Sequence, residues 1–357
     1  MSERSERTGE EVHHPTPGLD LVSLADWLPT HVQALRAPFD FELIAAGGSN
    51  LTYRVTDASG HTVALRRPPV TAVLATAHDM DREWRILGAL FHHTEVPVPT
   101  PLAHCADAEV SGAPFYVMDF VDGRILRTPA DSADFTAAEY VAATESLVDV
   151  QATLHGLDVD AVGLGDLART RTGYVERQLK RWMSQVEAGR VRDLPVLDEV
   201  HAALATSVPA ESGPPGLVHG DYRFDNTVLG PDRRLVAVLD WELATIGDPV
   251  ADFAWSCCYW NDPGDPVPFI DASPTLDPGF PRRAEVVELY AEQSGRDLSA
   301  FPWLHAFSYW KMGCIVEGVH ARRLKGARGG ANLGDPDVIA RRAEGFLHHA
   351  AALLSAR

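Results

Sequence analysis

One stretch, HGDYRFDNTVLGPDRRLVAVLDW at residues 219–241, constrains this chain more than any other. Asp221 is followed five positions later by Asn226, and fourteen positions further on by Asp240 at the end of an apolar run. Between them, residues 227–229 and 235–239 have the composition of two short strands, and Gly230-Pro231-Asp232-Arg233 is a turn that folds the second back onto the first. Such a hairpin brings Asp240 near Asn226. Metal-assisted phosphoryl transfer needs one carboxylate to orient and deprotonate an attacking hydroxyl, and oxygen ligands to hold Mg²⁺ against a polyphosphate. Asp221 suits the first role, and Asn226 with Asp240 the second. Singly, each is an ordinary turn or capping residue; the combined spacing carries the expectation.

With 357 residues the chain is long enough for two lobes and a substantial core. Its 31 basic against 50 acidic residues give a formal charge of −19, which argues against nucleic acid or an anionic membrane as partner. No apolar run approaches the length that spans a bilayer, and residues 1–18 are polar, so a flexible tail on a cytoplasmic protein is expected. Cys105, Cys257, Cys258 and Cys314 have neither zinc-type nor secreted-framework spacing and read as reduced core thiols.

Along the chain, residues 19–35 have a helical apolar pattern interrupted near Pro29. Residues 41–44 and 52–55 read as strands joined by the small-residue turn Ala45-Ala46-Gly47-Gly48-Ser49-Asn50, whose backbone amides can approach phosphates. In the next strand, residues 61–66, alternation places Ala64 and Arg66 on one face. A helix over residues 79–91 follows, with Asp79 as its N-cap and Glu83 within it, and then an extended Pro-rich connector at residues 96–101. Beyond residue 123 the chain is mainly helical: a capping box at Thr136 and Glu139 opens a long helix, and further helices are expected over residues 174–186, 195–204, 281–293 and 301–325. Asp248-Pro249 is an N-cap followed by a first-turn proline. Residues 261–280, rich in Pro, Asp and Gly, form a loop suited to a substrate rim. Arg322, Arg323, Lys325 and Arg328 stand out in an acidic chain, either as cations at a helix C-terminus or as an anion-binding rim.

The segment at 219–241 resembles the catalytic loop and metal-binding motif of the aminoglycoside phosphotransferase family, which shares the protein-kinase fold with choline kinases. The resemblance spans roughly residues 40–330. It implies an α+β, bilobal, protein-kinase-like fold: a small nucleotide-binding lobe at 19–120 with an antiparallel sheet and a helix, and a large, mostly helical catalytic and substrate-binding lobe at 121–357. Against the kinase pattern His-Arg-Asp-x-x-x-x-Asn, Gly220 replaces the Arg, and Trp241-Glu242 stand where Phe-Gly would be. The resemblance makes the turn Gly47, Gly48, Ser49 and Asn50 a phosphate cradle and gives Ala64 the place beside the adenine. Arg66 takes the place of the phosphate-binding Lys, a bidentate fork instead of a point charge, and Glu83 becomes its ion-pair partner. It makes Asp119 to Val121 the hinge that reads the purine edge, and His219, Asp248 and Asp252 scaffold, with Asp252 expected to hydrogen-bond back to the catalytic loop. ATP, or GTP, and Mg²⁺ are the implied cofactors.

The phrases GGSNLTY at 47–53, LRRPP at 65–69 and APFYVM at 113–118 are similar to the branch related to the kinase-like domain of the acyl-CoA dehydrogenase 10 and 11 proteins. That resemblance implies a phosphotransferase acting on a small-molecule hydroxyl, with a hydroxyacyl-CoA as acceptor and a partner enzyme that processes the acyl-CoA product; a homodimer is compatible with it. Two alternatives stay open. One is an aminoglycoside or macrolide antibiotic kinase, although a pocket for polycations should converge acidic side chains. The other, motivated by Arg66, is a nucleotide-binding pseudokinase with a regulatory role.

Overall fold

Alternating apolar side chains in the N-terminal strands ask for one covered face, and in the computed structural model they receive it. The structure describes residues 16–46, 50–69, 79–265, 273–326 and 335–356. Its contacts divide the chain into a first unit, residues 1–84 with 100–120, and a second, residues 85–99 with 121–357.

In the first unit, α1 (Leu21–His31) is capped by Asp20, whose carboxylate accepts from the amides of Val22 and Ser23 at 3.1 and 3.2 Å. The helix continues through Pro29 but ends at His31, short of residue 35, and the chain turns instead through Val32 to Leu35. Proline supplies no amide to the last turn, so the apolar pattern outruns the helix. The sheet follows as β1 (Asp40–Ala46), β2 (Leu51–Thr56) and β3 (Thr62–Arg67); then come α2 (Met80–His93), whose residues from Arg85 onward count with the second unit, β4 (Pro101–Cys105), the single turn α3 (Ala108–Ser111) and β5 (Phe115–Asp119). The five strands are antiparallel in the order β1-β2-β3-β5-β4. Tyr53, Val55, Val63, Leu65, Phe115 and Val117 pack with Leu24 and Leu28 of α1 in one core. With a period of two, Ala64 and Arg66 fall on the opposite face of β3.

The second unit is built on α4 (Ala137–His155), where Thr136 and Glu139 form the capping box, the carboxylate accepting from the Thr136 amide at 2.7 Å. It continues with α5 (Tyr174–Gly189), α6 (Pro195–Thr206), β6 (Gly216–Val218), β7 (Thr227–Leu229), β8 (Leu235–Val238), β9 (Thr245–Gly247), α7 (Pro249–Cys257), α8 (Arg283–Ser294), α9 (Phe301–Leu324) and α10 (Pro336–Ser355). Strands β7 and β8 form the expected hairpin, and β6 pairs antiparallel with β9. In α9, Trp303 and Trp310 are fully buried in the core; truncating such a side chain to Ala typically costs about 3–5 kcal/mol. Helix α10 lay outside the sequence reading. It packs Ile339, Ala343, Phe346, Leu347 and Ala350 into the same core as α9. All four cysteines are buried free thiols. Among the described residues no helix is long and apolar enough to cross a membrane.

Candidate active site

The second unit holds the loop that the sequence singled out. Strand β6 delivers the chain to His219, β7 and β8 return it to Asp240, and β9 closes beside β6. Gly220 adopts a φ of +85°, and a Cβ there would lie 2.9 Å from Leu243 Cβ and 3.0 Å from the Leu243 carbonyl oxygen. The loop therefore carries glycine where protein kinases carry arginine. His219 is completely buried. Its Nε2 lies 2.9 Å from the Leu239 carbonyl and its Nδ1 accepts from the Asp221 amide at 3.3 Å, so the ring donates at Nε2 and ties the two ends of the hairpin together. It braces the loop, as expected.

Asp252, in α7, anchors the same loop from beneath. Its carboxylate accepts from the amides of His219 at 3.1 Å and Gly220 at 2.9 Å, and lies 3.2 Å from His155 Nε2. Burial pushes the Asp252 carboxyl up, but the hydrogen bond from His155 and the Gly220 amide outweigh it and hold the group below the usual Asp range. Asp248 caps α7 through the Val250 and Ala251 amides at 2.8 and 3.3 Å, with Pro249 in the first turn. His155 is the far end of this brace; its Nδ1 lies 2.6 Å from the Tyr290 hydroxyl.

Asp221 and Asn226 are brought together directly. The Asn226 amide nitrogen donates to the Asp221 carboxylate at 3.0 Å and to the Asp221 carbonyl at 2.9 Å. Both amide protons are thus committed, and the amide oxygen is the atom left for another partner. The Leu239 amide donates to the Asn226 carbonyl at 2.8 Å, which sets Asp240 one residue beyond that contact. Asp240 has a φ of 64°, a left-handed conformation that costs a non-glycine residue of order 1 kcal/mol. One amide oxygen and one carboxylate are hard oxygen donors, too few to cage an ion alone and suited to Mg²⁺, which keeps waters and phosphate oxygens as its remaining ligands. Among the described residues no cluster of three or more His, Cys, Asp or Glu competes as a metal site.

Three neighbours escaped the sequence reading. Arg223 Nε lies 3.3 Å from Asp221 Oδ2 and 2.9 Å from Asp225 Oδ1, and its guanidinium stands 4.8 Å over the Tyr259 ring. The Tyr259 hydroxyl is hydrogen-bonded to Asp221; burial and then the Asp221 charge push that phenol well up. Burial also raises the Asp225 carboxyl, against the pull of Arg223. Arg223 and Asp225 lie within the motif itself, directly either side of Phe224 in the DYRFDN run, but only the fold reveals Tyr259 beside them. An apolar cavity lies beneath this loop, lined by Leu147, Val148, Tyr222, Phe253 and Trp260 with Arg127 and Arg223.

The first unit holds a separate polar cluster. Glu83 is 2% exposed and accepts from Arg66 Nε at 3.0 Å, from the Asn50 amide at 2.9 Å and from the Tyr116 hydroxyl at 3.1 Å. Arg66 Nη1 also donates to Thr52 Oγ1 at 3.4 Å. Asn50, Arg66 and Glu83 are therefore assembled into one buried group, with Tyr116 as a member that the sequence did not supply. Ala64 is buried in register with Met118. The Asp119 amide, at the end of β5, donates to the Thr100 carbonyl at 2.9 Å and is occupied by that contact. Val121 is half-buried in the second unit. Gly47, Gly48 and Ser49 lie outside the described residues, as does Arg328. Arg322 and Lys325 line a groove between α5 and α9 with Trp182 and Arg190. The expected loop after residue 261 is held at its start by Arg283, which donates to the Trp260 carbonyl at 2.6 Å and pairs with Asp265.

Known proteins share this architecture. The chain is 35% identical over 324 residues to rat acyl-CoA dehydrogenase family member 11, a match that covers 87% of this chain and 41% of that protein. It is 33% identical to mouse acyl-CoA dehydrogenase family member 10 over 285 residues, 78% of this chain and 26% of that one. The chain thus spans about two fifths or less of the length of these curated relatives. A solved Ralstonia eutropha protein, provisionally described as an aminoglycoside phosphotransferase, superposes with a TM-score of 0.79 at 32% identity, over 94% of this chain and 99% of that one. The choline kinase of Cryptosporidium parvum, 11% identical, superposes with a TM-score of 0.63 over 94% and 96% of the two chains, which shows the kinase-like α+β fold alone. Residues 40–292 match the family model described as the phosphotransferase enzyme family, and the chain belongs to that family.

Proposed function

We propose that the protein is an ATP- and Mg²⁺-dependent phosphotransferase that moves the γ-phosphoryl group to a hydroxyl of a small molecule. The observation that carries this reading is the Asp221–Asn226 pair, held by hydrogen bonds at 2.9 and 3.0 Å on a loop braced by His219 and Asp252. Asn226 and Asp240 would hold Mg²⁺, which supplies charge neutralisation on the phosphates when bound. Asp221 accepts the proton of the acceptor hydroxyl and orients its oxygen for in-line attack; the O–H bond breaks toward Asp221 as the new P–O bond forms and ADP leaves. In the first unit, Glu83 fixes the guanidinium of Arg66 for the nucleotide phosphates, and Gly47, Gly48, Ser49 and Asn50 contribute the glycine-turn amides. Ala64 and the backbone of Asp119 receive the base. Most of the acceleration comes from alignment and preorganised charge, since no covalent enzyme intermediate is required.

A hydroxyacyl-CoA is the acceptor this reading favours, because the relatives named acyl-CoA dehydrogenase family members 10 and 11 carry a segment similar to this chain beside further sequence of their own. Product would then pass to an acyl-CoA-processing enzyme. Replacement of Asp221 by Asn tests the assignment. Phosphoryl transfer should fall by roughly 10²–10⁴-fold with nucleotide affinity unchanged; a variant with near-normal turnover would remove Asp221 from the role of base.

A further inference from the structure

The second unit carries a chain of alternating cations and aromatic rings that begins at Asp221. Arg223, 3.3 Å from the Asp221 carboxylate, stacks 4.8 Å over Tyr259. Tyr259 meets Trp255 of α7 edge to face at 5.8 Å. The ammonium of Lys311, from α9, lies 3.7 Å over the Trp255 ring and 5.9 Å from that of Trp182 on α5, and Arg181 flanks Trp182 at 5.8 Å. Four elements distant in sequence converge on this ladder. In a chain with a formal charge of −19, the ladder still keeps donors that no carboxylate meets, although Arg223 itself pairs with Asp221 and Asp225. Lys311 makes no ion pair or hydrogen bond among the described residues, only contacts with two indole faces. Arg223 Nη1 and Trp255 Nε1 are buried donors without an acceptor there. Every unmet group is a donor, so the missing partner is an acceptor oxygen, and a cation over two indoles attracts an anion while repelling a polycation.

We propose that this ladder is the acceptor-binding surface, that the acceptor is an anion, and that Lys311 is a specificity-determining residue whose ammonium receives the acceptor's negatively charged oxygen while its hydroxyl sits at Asp221. The proposal rests on the phosphotransferase reading and names the substrate class for that site. The charged oxygen could belong to a free carboxylate or to the phosphates of a coenzyme A thioester. Lys311 is held down to about 8, first by burial, with Arg181 acting in the same direction and Asp252, Asp221 and Cys258 opposing. Its charge is therefore present at pH 7 and is lost as pH rises through that value.

Binding calorimetry on the full chain with MgADP present tests this with four probes: a medium-chain hydroxy acid, its coenzyme A thioester, the corresponding neutral diol, and kanamycin. At least one anionic probe should bind more tightly than the diol and kanamycin, and which of the two leads distinguishes carboxylate from phosphate. Lys311→Met should weaken that anion about 10–100-fold, as expected for loss of a charge-assisted contact, and leave the diol and MgADP unchanged. Lys311→Arg should keep the affinity and remove its decline between pH 7 and 9, a readout that a packing role alone would not move. An anion that binds no better than the diol, or that ignores Lys311→Met, overturns the proposal, and so does an equal decline with pH in Lys311→Arg. Failure of the wild type to bind MgADP would instead count against the phosphotransferase reading.

Discussion

The catalytic loop, half-buried at Asp221, Asn226 and Asp240, and the buried Arg66–Glu83 cluster are both polar groupings, but they are assembled in opposite ways. The loop draws Asp221, Asn226 and Asp240 from one short run, with β7 and β8 closing it locally. The cluster takes Asn50 from just before β2, Arg66 from β3, Glu83 from α2 and Tyr116 from β5. The first is set by turn chemistry and a few braces; the second exists only once a whole sheet and helix have packed. The difference teaches where each is vulnerable. A change in the loop should act mainly on chemistry, whereas a change in the cluster should act on folding as well.

Glu83→Ala breaks the comparison most severely. It strands the Arg66 guanidinium, whose side chain is only 10% exposed, without its carboxylate. Loss of one member of a buried pair costs about 3–5 kcal/mol, so urea unfolding should show a clear drop in midpoint along with weakened nucleotide binding. A variant of unchanged stability would mean the ion pair is not formed. Gly220→Ala comes next. The positive φ and the Leu243 contacts at 2.9 and 3.0 Å should cost about 1–3 kcal/mol and displace Asp221, so turnover should fall further than stability does. Full activity in that variant would show that the loop backbone tolerates a side chain.

The smallest effect concerns pH. Because the folded Asp252 carboxyl sits below its ordinary value, the stability it contributes is fully present above about pH 4 and is lost as pH falls through the depressed value. Asp252→Asn should therefore flatten the acid limb of stability, measured as urea midpoints from about pH 6 down to about pH 3. An unchanged acid limb would place the acid-sensitive group elsewhere.

Legibility in the sequence followed the same division. The hairpin, the Asp248-Pro249 cap and the Thr136–Glu139 capping box are all local patterns, and each is where the sequence placed it. Glu83 was reached through resemblance to the kinase pattern, not through any local feature, and Tyr116 as its third donor was not reached at all. Tyr259, Trp255, Trp182 and Lys311 escaped for a physical reason: each sits on a helix or loop where an aromatic or basic side chain fits the amphipathic pattern, and only the packing of α5, α7 and α9 stacks them. Helix α10 did carry a signal, since Asp335-Pro336 is a helix start and Ile339, Ala343, Phe346, Leu347 and Ala350 form a helical stripe. The end of α1 was legible as well, since Pro29 marked the interruption and the helix stops two residues later at His31 although the apolar pattern runs on.

The central claim is that Asn226 and Asp240 hold the Mg²⁺ of a bound nucleotide. Calorimetric titration of ATP into the wild type and into Asp240→Ala, each with and without Mg²⁺, tests it most directly. The account predicts wild-type binding that is strengthened by Mg²⁺, and an Asp240→Ala variant, still folded, in which that strengthening disappears. ATP affinity indifferent to both Mg²⁺ and Asp240 would contradict it and favour a nucleotide-binding regulatory module over an enzyme.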